Sequence, residues 1–370
     1  VGAVKSTADG FDPRLRDLGT AAPKVSIIVT SYNYSRYICD SLRSVSAQDY
    51  PAIECVVVDD GSMDDSVEKI KRFIENDTSN VLFRLILHES TRGQYAAFRT
   101  GFEQTNGAFV SFLDADDLLL PDFVTEHVRI HLSRPPVAFT SSNQYQIDSS
   151  GQLIGGLHPD LHVHDHYRSV NSVSLQRAFW IWATTSSMMF RRSVLRYVLS
   201  DADDSFTKCA DNYICHFCNM LGGSILIPGV FGCYRRHEQN TFSTNPLIGG
   251  RLPTGDMRNH PGHEAVIRHM RERLFERSEQ FIALLGAEGF LHAVIKITTL
   301  PDLWRNWKAL HGIVSLEEFL YWKFLRLFFW LHLRRMVRVL RNRHPSVSIS
   351  DLDDIGPPER PPCKSHRPSA

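Results

Sequence analysis

Between residues 25 and 132 the chain repeats one pattern: a short apolar run rich in β-branched residues, then a stretch with apolar residues at helical spacing. The runs are 25–30, 53–58, 81–87 and 108–113. The first two are too continuous to present a wet face, so they read as strands buried on both sides, and the other two read as a third and a fourth strand. Residues 36–47 carry Tyr37, Ile38, Leu42 and Val45 on one helical face. Helices are also expected from Asp64 or Asp65 to Glu75, over 94–104, and from Pro121 to 132, where proline suits the first turn. This alternation implies an α/β fold, a mostly parallel sheet with helices on both faces. In such sheets ligands lie beyond the carboxyl ends of the strands.

Three polar clusters fall at those ends: Thr30-Ser31-Tyr32-Asn33, Asp59-Asp60-Gly61-Ser62 and Asp114-Ala115-Asp116-Asp117. The third places three carboxylates where an apolar strand stops. They repel one another and contribute little to packing, so a cation is expected among them. Mg²⁺ or Mn²⁺ takes a few carboxylates and completes its shell with water and substrate phosphates, which points to a phosphorylated substrate.

Lys+Arg and Asp+Glu both number 41, so no overall field argues for nucleic acid. The seven cysteines are too scattered for a disulfide scaffold and read as reduced thiols, as in a cytoplasmic protein. No secretory signal is evident in the first residues. Neither the histidines at 158–166 nor the cysteines at 209–233 have the tight paired spacing of a structural zinc site.

Four segments together resemble glycosyltransferase family 2: 25–33 (VSIIVTSYN), 56–62 (VVVDDGS), 93–102 (GQYAAFRTGF) and 112–117 (FLDADD). The match is close over 24–135 and weaker to about 245. The resemblance implies a GT-A-type, Rossmann-like fold and an inverting, nucleotide-sugar-dependent enzyme. Thr30 and Tyr32 match positions that hold the nucleobase by backbone contact and stacking, with Asn33 beside them on the donor side. Asp60 matches the residue that accepts a hydrogen bond from a uracil ring, while Ser62, Asp64 and Asp65 read better as helix-capping residues. Asp116 matches the metal ligand that bridges to the diphosphate, and Asp114 the residue between ribose and metal. Asp117 reads as a cap.

Further along, Asp211 in Ala210-Asp211-Asn212 fits the position of the catalytic base, with helix capping as the competing role. Residues 232–243 resemble the family's Tyr-Arg-x-His element, which places Arg235 on the diphosphate and His237 on the metal. Arg236 fits a surface strand end better. Residues 184–192, with Thr185, resemble the segment lining the acceptor side. Trp180 and Trp182 before it suit either sugar stacking or a core. Arg99 stands where the family commonly has Asn, so it either contacts phosphate or points outward. The Gln-x-x-Arg-Trp element of processive synthases is absent, which implies a non-processive enzyme.

The expected organisation is an arm over 1–23, a catalytic domain over 24–245 (donor half 24–135, acceptor half 136–245), a helical extension over 246–344 and a Pro-rich disordered tail over 345–370. Between 319 and 343 the extension is apolar and aromatic, carrying Lys323, Arg326, Arg334, Arg335, Arg338, Arg341 and Arg343. Its uncharged runs are too short to span a bilayer. Peripheral attachment to the anionic inner membrane face fits this pattern, and so does packing on the protein. The implied function is metal-dependent transfer of a sugar, most simply from a UDP-sugar, to a glycan or lipid-linked acceptor. A nucleotidyltransferase and an inactive nucleotide-sugar- or glycan-binding protein are the competing readings.

Overall fold

The four apolar runs become β1 (Val25–Ser31), β2 (Ile53–Asp59), β3 (Leu82–Leu87) and β4 (Phe109–Asp114). A computed structural model describes residues 22–134, 136–157, 166–170, 180–199, 210–238, 240, 261–297 and 354–355. The strands pair in parallel in the order β4-β1-β2-β3. Thr30 is level with Val58 and Asp114, and Ser31 with Asp59, so all three polar clusters leave the sheet along one edge.

Helices α1 (Ile38–Ser46), α2 (Ser66–Asn76), α3 (Gln94–Glu103) and α4 (Phe123–Ser133) follow the strands in turn. Alternate β1 side chains serve opposite faces. Val25, Ile27 and Val29 pack with Ile38, Leu42, Ile70, Phe123 and Val128 of α1, α2 and α4. Ile28 packs with Tyr95, Ala97 and Phe98 of α3 on the other face. Gly101 permits the close approach, since a Cβ there would lie 2.3 Å from Ile28 Cγ2.

Leu118–Leu119 forms β5 just before α4, and beyond α4 the chain adds β6 (Phe139–Ile147), β7 (Leu153–Leu157), β8 (Tyr167–Val170), β9 (Met188–Arg191), α5 (Arg192–Val198), α6 (Ala210–Gly222) and β10 (Ser224–Arg235). Here the sheet is mixed rather than parallel. β9 lies antiparallel between β4 and β6, and β10 runs parallel to β6. β7 pairs antiparallel with β6 as a hairpin across a turn in which Asp148 N–H donates to Gln152 O at 2.9 Å and Gly151 takes φ 86°. β7 and β8 are short strands that flank the His-rich stretch at 158–166. These short, Gly- or polar-containing strands are stabilised by their neighbours in the sheet rather than by their own pattern.

Helices α7 (Pro261–Glu276) and α8 (Ser278–Ile297) share the main core: Met270, Leu274, Phe281, Phe290 and Val294 are buried in the cluster that holds Phe112 and Phe139. The start of the helical extension is thus part of the same packed body. Among the described residues no helix is long and apolar enough to cross a membrane. Nearly all of the arm and of the tail, and the 319–343 segment, lie outside the described residues.

Candidate active site

The turn after β4 is fixed from two sides. Asp117 N–H donates to Asp114 O at 3.0 Å, and Asp114 N–H donates to Ser186 Oγ at 3.1 Å. From β10, Arg235 N–H donates to Asp117 Oδ1 at 2.9 Å and its Nε–H donates to the backbone oxygen of Asp116 at 2.8 Å. β5 pairs with β10 just beyond, Leu118 opposite Cys233. Asp117 therefore clamps the acidic turn to β10, a tie between strands where the sequence suggested a local cap.

Asp116 Oδ2 lies 2.8 Å from His237 Nε2, and both side chains are buried. Burial and the neighbouring Asp116 and Asp211 push Asp114 up to about 8, against hydrogen bonds from Gln94 and Thr30 that pull it down. Burial, Asp116 and Asp114 likewise push Asp117 well above the carboxylate range. Burial and all three acids push the Tyr34 phenol up, and its ring meets His237 edge-on at 5.9 Å. Closely set carboxylates that resist joint ionisation are what a bound cation would relieve.

Beside this turn, Tyr32 is 41% exposed, a ring open to stacking at the sheet edge. Asn33 takes a left-handed φ of 60°. Its backbone N–H donates to Ser62 Oγ and its side-chain oxygen accepts from Met63 N–H, both at 2.8 Å, so it ties the first two clusters together. Asp59 accepts from Ser62, and Asp64 accepts from Ser66 N–H at the start of α2, whereas Asp65 at the N-cap makes no side-chain cap bond. Asp60 is buried and accepts four hydrogen bonds: from His88 Nδ1 at 2.6 Å, Thr91 Oγ1 at 2.8 Å, Arg92 N–H at 2.9 Å and Gly93 N–H at 2.8 Å. Its two oxygens are filled by the 88–93 loop, so a nucleobase contact requires that loop to give up one bond.

Asp211 lies in the first turn of α6, close enough to Asp114 to raise it. Thr185 Oγ1–H donates to its Oδ2 at 3.2 Å and Asn212 N–H to its Oδ1 at 2.8 Å. Burial pushes its carboxyl up despite these bonds. The structure thus gathers Thr30, Asp114, Asp116, Asp211, Thr185 and His237 around one strand end.

The readings of Arg235 and Arg236 do not fit, and the alternatives open for Arg99 and Trp182 are narrowed. Arg235 is not open to a diphosphate: it is buried behind the turn, 4.9 Å above the Tyr37 ring, with Nη2 3.5 Å from Asp40. Arg236, read as a surface residue, is buried too. Arg99 lies more than a turn along α3 from Gln94, where its described ion pair, at 3.8 Å, is with Glu103 on the same helix. Trp182 is fully buried against Phe139 and donates to Ser224 Oγ at 3.0 Å, so it cannot stack on a sugar. Trp182→Ala is expected to lower stability by about 3–5 kcal/mol, measured by urea unfolding. Trp180, half-buried, packs edge-on against Trp182 and donates to Ala183 O at 3.0 Å.

No individual role follows from the sequence for Ser186, Tyr34 or Gln94, although Ser186 lies in the 184–192 segment and Gln94 in the 93–102 motif. Tyr34 directly follows the Tyr32-Asn33 pair, the one local signal available for it.

Asp114, Asp116 and His237 are of the chemical types that a hard divalent ion accepts. Among the described residues no three Asp, Glu, His or Cys side chains are grouped so as to hold a metal ion by themselves. Substrate phosphate or water oxygens would have to complete any shell built on them.

Residues 26–199 match the family model described as "Glycosyl transferase family 2". Residues 26–199 are a glycosyl transferase family 2 domain. An uncharacterized glycosyltransferase of Nostoc sp. is 30% identical over 224 residues, which cover 59% of this chain and 66% of that protein. The UDP-Glc:alpha-D-GlcNAc-diphosphoundecaprenol beta-1,3-glucosyltransferase WfgD of Escherichia coli is 30% identical over 131 residues, 35% of this chain and 49% of WfgD. The chain thus spans between about half and two thirds of these relatives' lengths. Residues 1–349 of S. aureus TarS superpose with a TM-score of 0.49 at 16% identity, covering 80% of this chain and 76% of that one. The glycosyl transferase family 2 match includes Thr30 through Thr185, whereas Asp211 and His237 lie beyond it and are joined to it only by the fold.

Proposed function

We propose that this chain is an inverting, non-processive glycosyltransferase that moves a sugar from a nucleoside-diphosphate donor to an acceptor hydroxyl. The observation that carries this reading is the convergence of Asp114 and Asp116 with His237 on one side and Asp211 on the other. The name of the Escherichia coli relative supports a UDP-sugar as donor and a lipid-linked glycan as acceptor. The basic aromatic segment 319–343 suits attachment to the membrane that would carry such an acceptor.

Tyr32 stacks on the nucleobase and the Thr30 backbone aligns the nucleoside. Asp116, Asp114 and His237 would hold a divalent ion, which when bound would supply Lewis-acid stabilisation of the departing diphosphate. Asp211 takes the proton from the acceptor hydroxyl as that oxygen bonds to the anomeric carbon and the bond to the diphosphate oxygen breaks. Thr185 orients the Asp211 carboxylate through its hydroxyl donor.

Attack from the face opposite the leaving group inverts the anomeric centre. NMR of sugar released early from a UDP-sugar, before mutarotation, is expected to show the inverted configuration. A retained configuration, or pyrophosphate as product, would overturn the reading.

A base must be ionised to act, and burial raises Asp211. Activity is therefore expected to fall as pH falls, with its acid limb above the ordinary Asp value of about 3.9. A pH–kcat profile checks this; a flat profile down to about pH 4 contradicts it.

A further inference from the structure

Gln94 opens α3 directly after Gly93, whose φ of 90° suits glycine. The backbone that delivers it is pinned. Asp60 accepts from Thr91 Oγ1–H and from the backbone N–H groups of Arg92 and Gly93. Gly61 lies so close beneath this loop that a Cβ there would stand 2.9 Å from the carbonyl carbon of Ser90 and the nitrogen of Thr91. Gln94 therefore enters the site from a fixed point.

Its side chain spans two elements that do not adjoin in sequence. Oε1 accepts from Ala210 N–H at 3.1 Å, at the start of α6 and one residue before Asp211. The same side chain lies close enough to the Asp114 carboxyl at the end of β4 to lower its pKa. The Ala210 N–H fixes the polarity of the amide: it must meet the oxygen, which leaves the NH₂ for the acid side. Glu keeps the acceptor but sets a carboxylate near Asp114. Met keeps the length and loses the bond to Ala210. The first N–H groups of a helix have no partner within the helix, so Gln94 also supplies one that α6 needs at that point.

We propose that Gln94 is a positioning residue that sets Asp211 against the donor-side acid Asp114. The inference rests on the function proposed above. It assigns the relative placement of base and donor to one side chain, with Asp60 acting through the 91–93 loop to hold that side chain in place. The acceptor oxygen and the anomeric carbon must meet within a few tenths of an ångström, and a misplacement of about 1 Å can cost 10²-fold in rate.

The test compares wild type with Gln94→Met and Gln94→Glu, using a UDP-sugar that the wild type turns over. Both variants are expected to lose about 10- to 100-fold in kcat, with donor KM within about threefold, because Thr30 and Tyr32 are untouched. Amide hydrogen exchange supplies a readout independent of turnover. In Gln94→Met, exchange at residues 210–213 is expected to accelerate about tenfold or more, while exchange at 98–101 in α3 stays at the wild-type rate. Unchanged exchange at 210–213, or kcat within twofold of wild type, overturns the inference while leaving the proposed function standing. Acceleration at 98–101 equal to that at 210–213 also overturns it, since that marks general destabilisation. A wild type that turns over no nucleotide sugar removes the function and the inference together.

Discussion

Asp211→Asn is expected to lower kcat for sugar transfer by about 10³-fold, with donor KM within about threefold. Asn is nearly isosteric. Its side-chain oxygen can still accept from Asn212 N–H, and its amide can donate to the Thr185 hydroxyl where the carboxylate now accepts. The start of α6 therefore stays in place, and what is lost is the capacity to take a proton. General-base catalysis is worth about 10²–10⁴-fold, and 10³-fold corresponds to about 4 kcal/mol of barrier. Steady-state kinetics with the donor varied, alongside calorimetric binding of the nucleotide, separate this loss from a folding or binding defect. A variant with wild-type kcat would remove Asp211 from the chemistry and leave it as a helix cap.

Asp116→Ala is expected to lower metal-supported nucleotide release by about 10³-fold or more, because charge on the departing diphosphate then lacks its main counter-ion anchor. The fold should tolerate the change. The Arg235 bond to residue 116 goes to its backbone oxygen, and Asp117, which holds Arg235 N–H, is untouched. His237 loses its 2.8 Å partner, so its ring orientation and the apparent Mn²⁺ affinity should suffer together. A Mn²⁺ titration of nucleotide release checks this: a higher Mn²⁺ requirement with low maximal rate is expected, and an unchanged titration curve would contradict the assignment. His237→Ala should shift the same curve less, since the carboxylates stay.

Much of the donor side was legible in the sequence because it is local. β1, β2 and β4 are continuous apolar runs, and the acids follow them within one or two residues. The parallel order β4-β1-β2-β3 then brings Thr30 level with Asp114, as the α/β pattern required. The acceptor side was harder because its contacts join distant residues. β9 inserts antiparallel between β4 and β6, and nothing in Met188–Arg191 announces that direction. Arg235 read as a ligand for phosphate because a charged strand end is ordinarily wet. Here backbone oxygens, Asp40 and the Tyr37 ring satisfy the guanidinium in the interior. Trp182 carried the same aromatic signal whether destined for sugar or core, and only its neighbours Phe139 and Ser224 decide. Asp60 sat where expected, but the four donors that occupy it come from a loop about 30 residues later. Gln94 stands in the 93–102 segment, but nothing there points to its partner Ala210, 116 residues away.

The most direct measurement is release of nucleoside diphosphate from a panel of UDP-, GDP- and dTDP-sugars, with Mn²⁺ and with chelator, by wild type and Asp116→Ala. The account predicts release from at least one donor, most simply a UDP-sugar, that chelator abolishes and that Asp116→Ala lowers by about 10³-fold. Folded wild-type protein that releases nothing from any donor, or release that neither chelator nor Asp116→Ala diminishes, would contradict it.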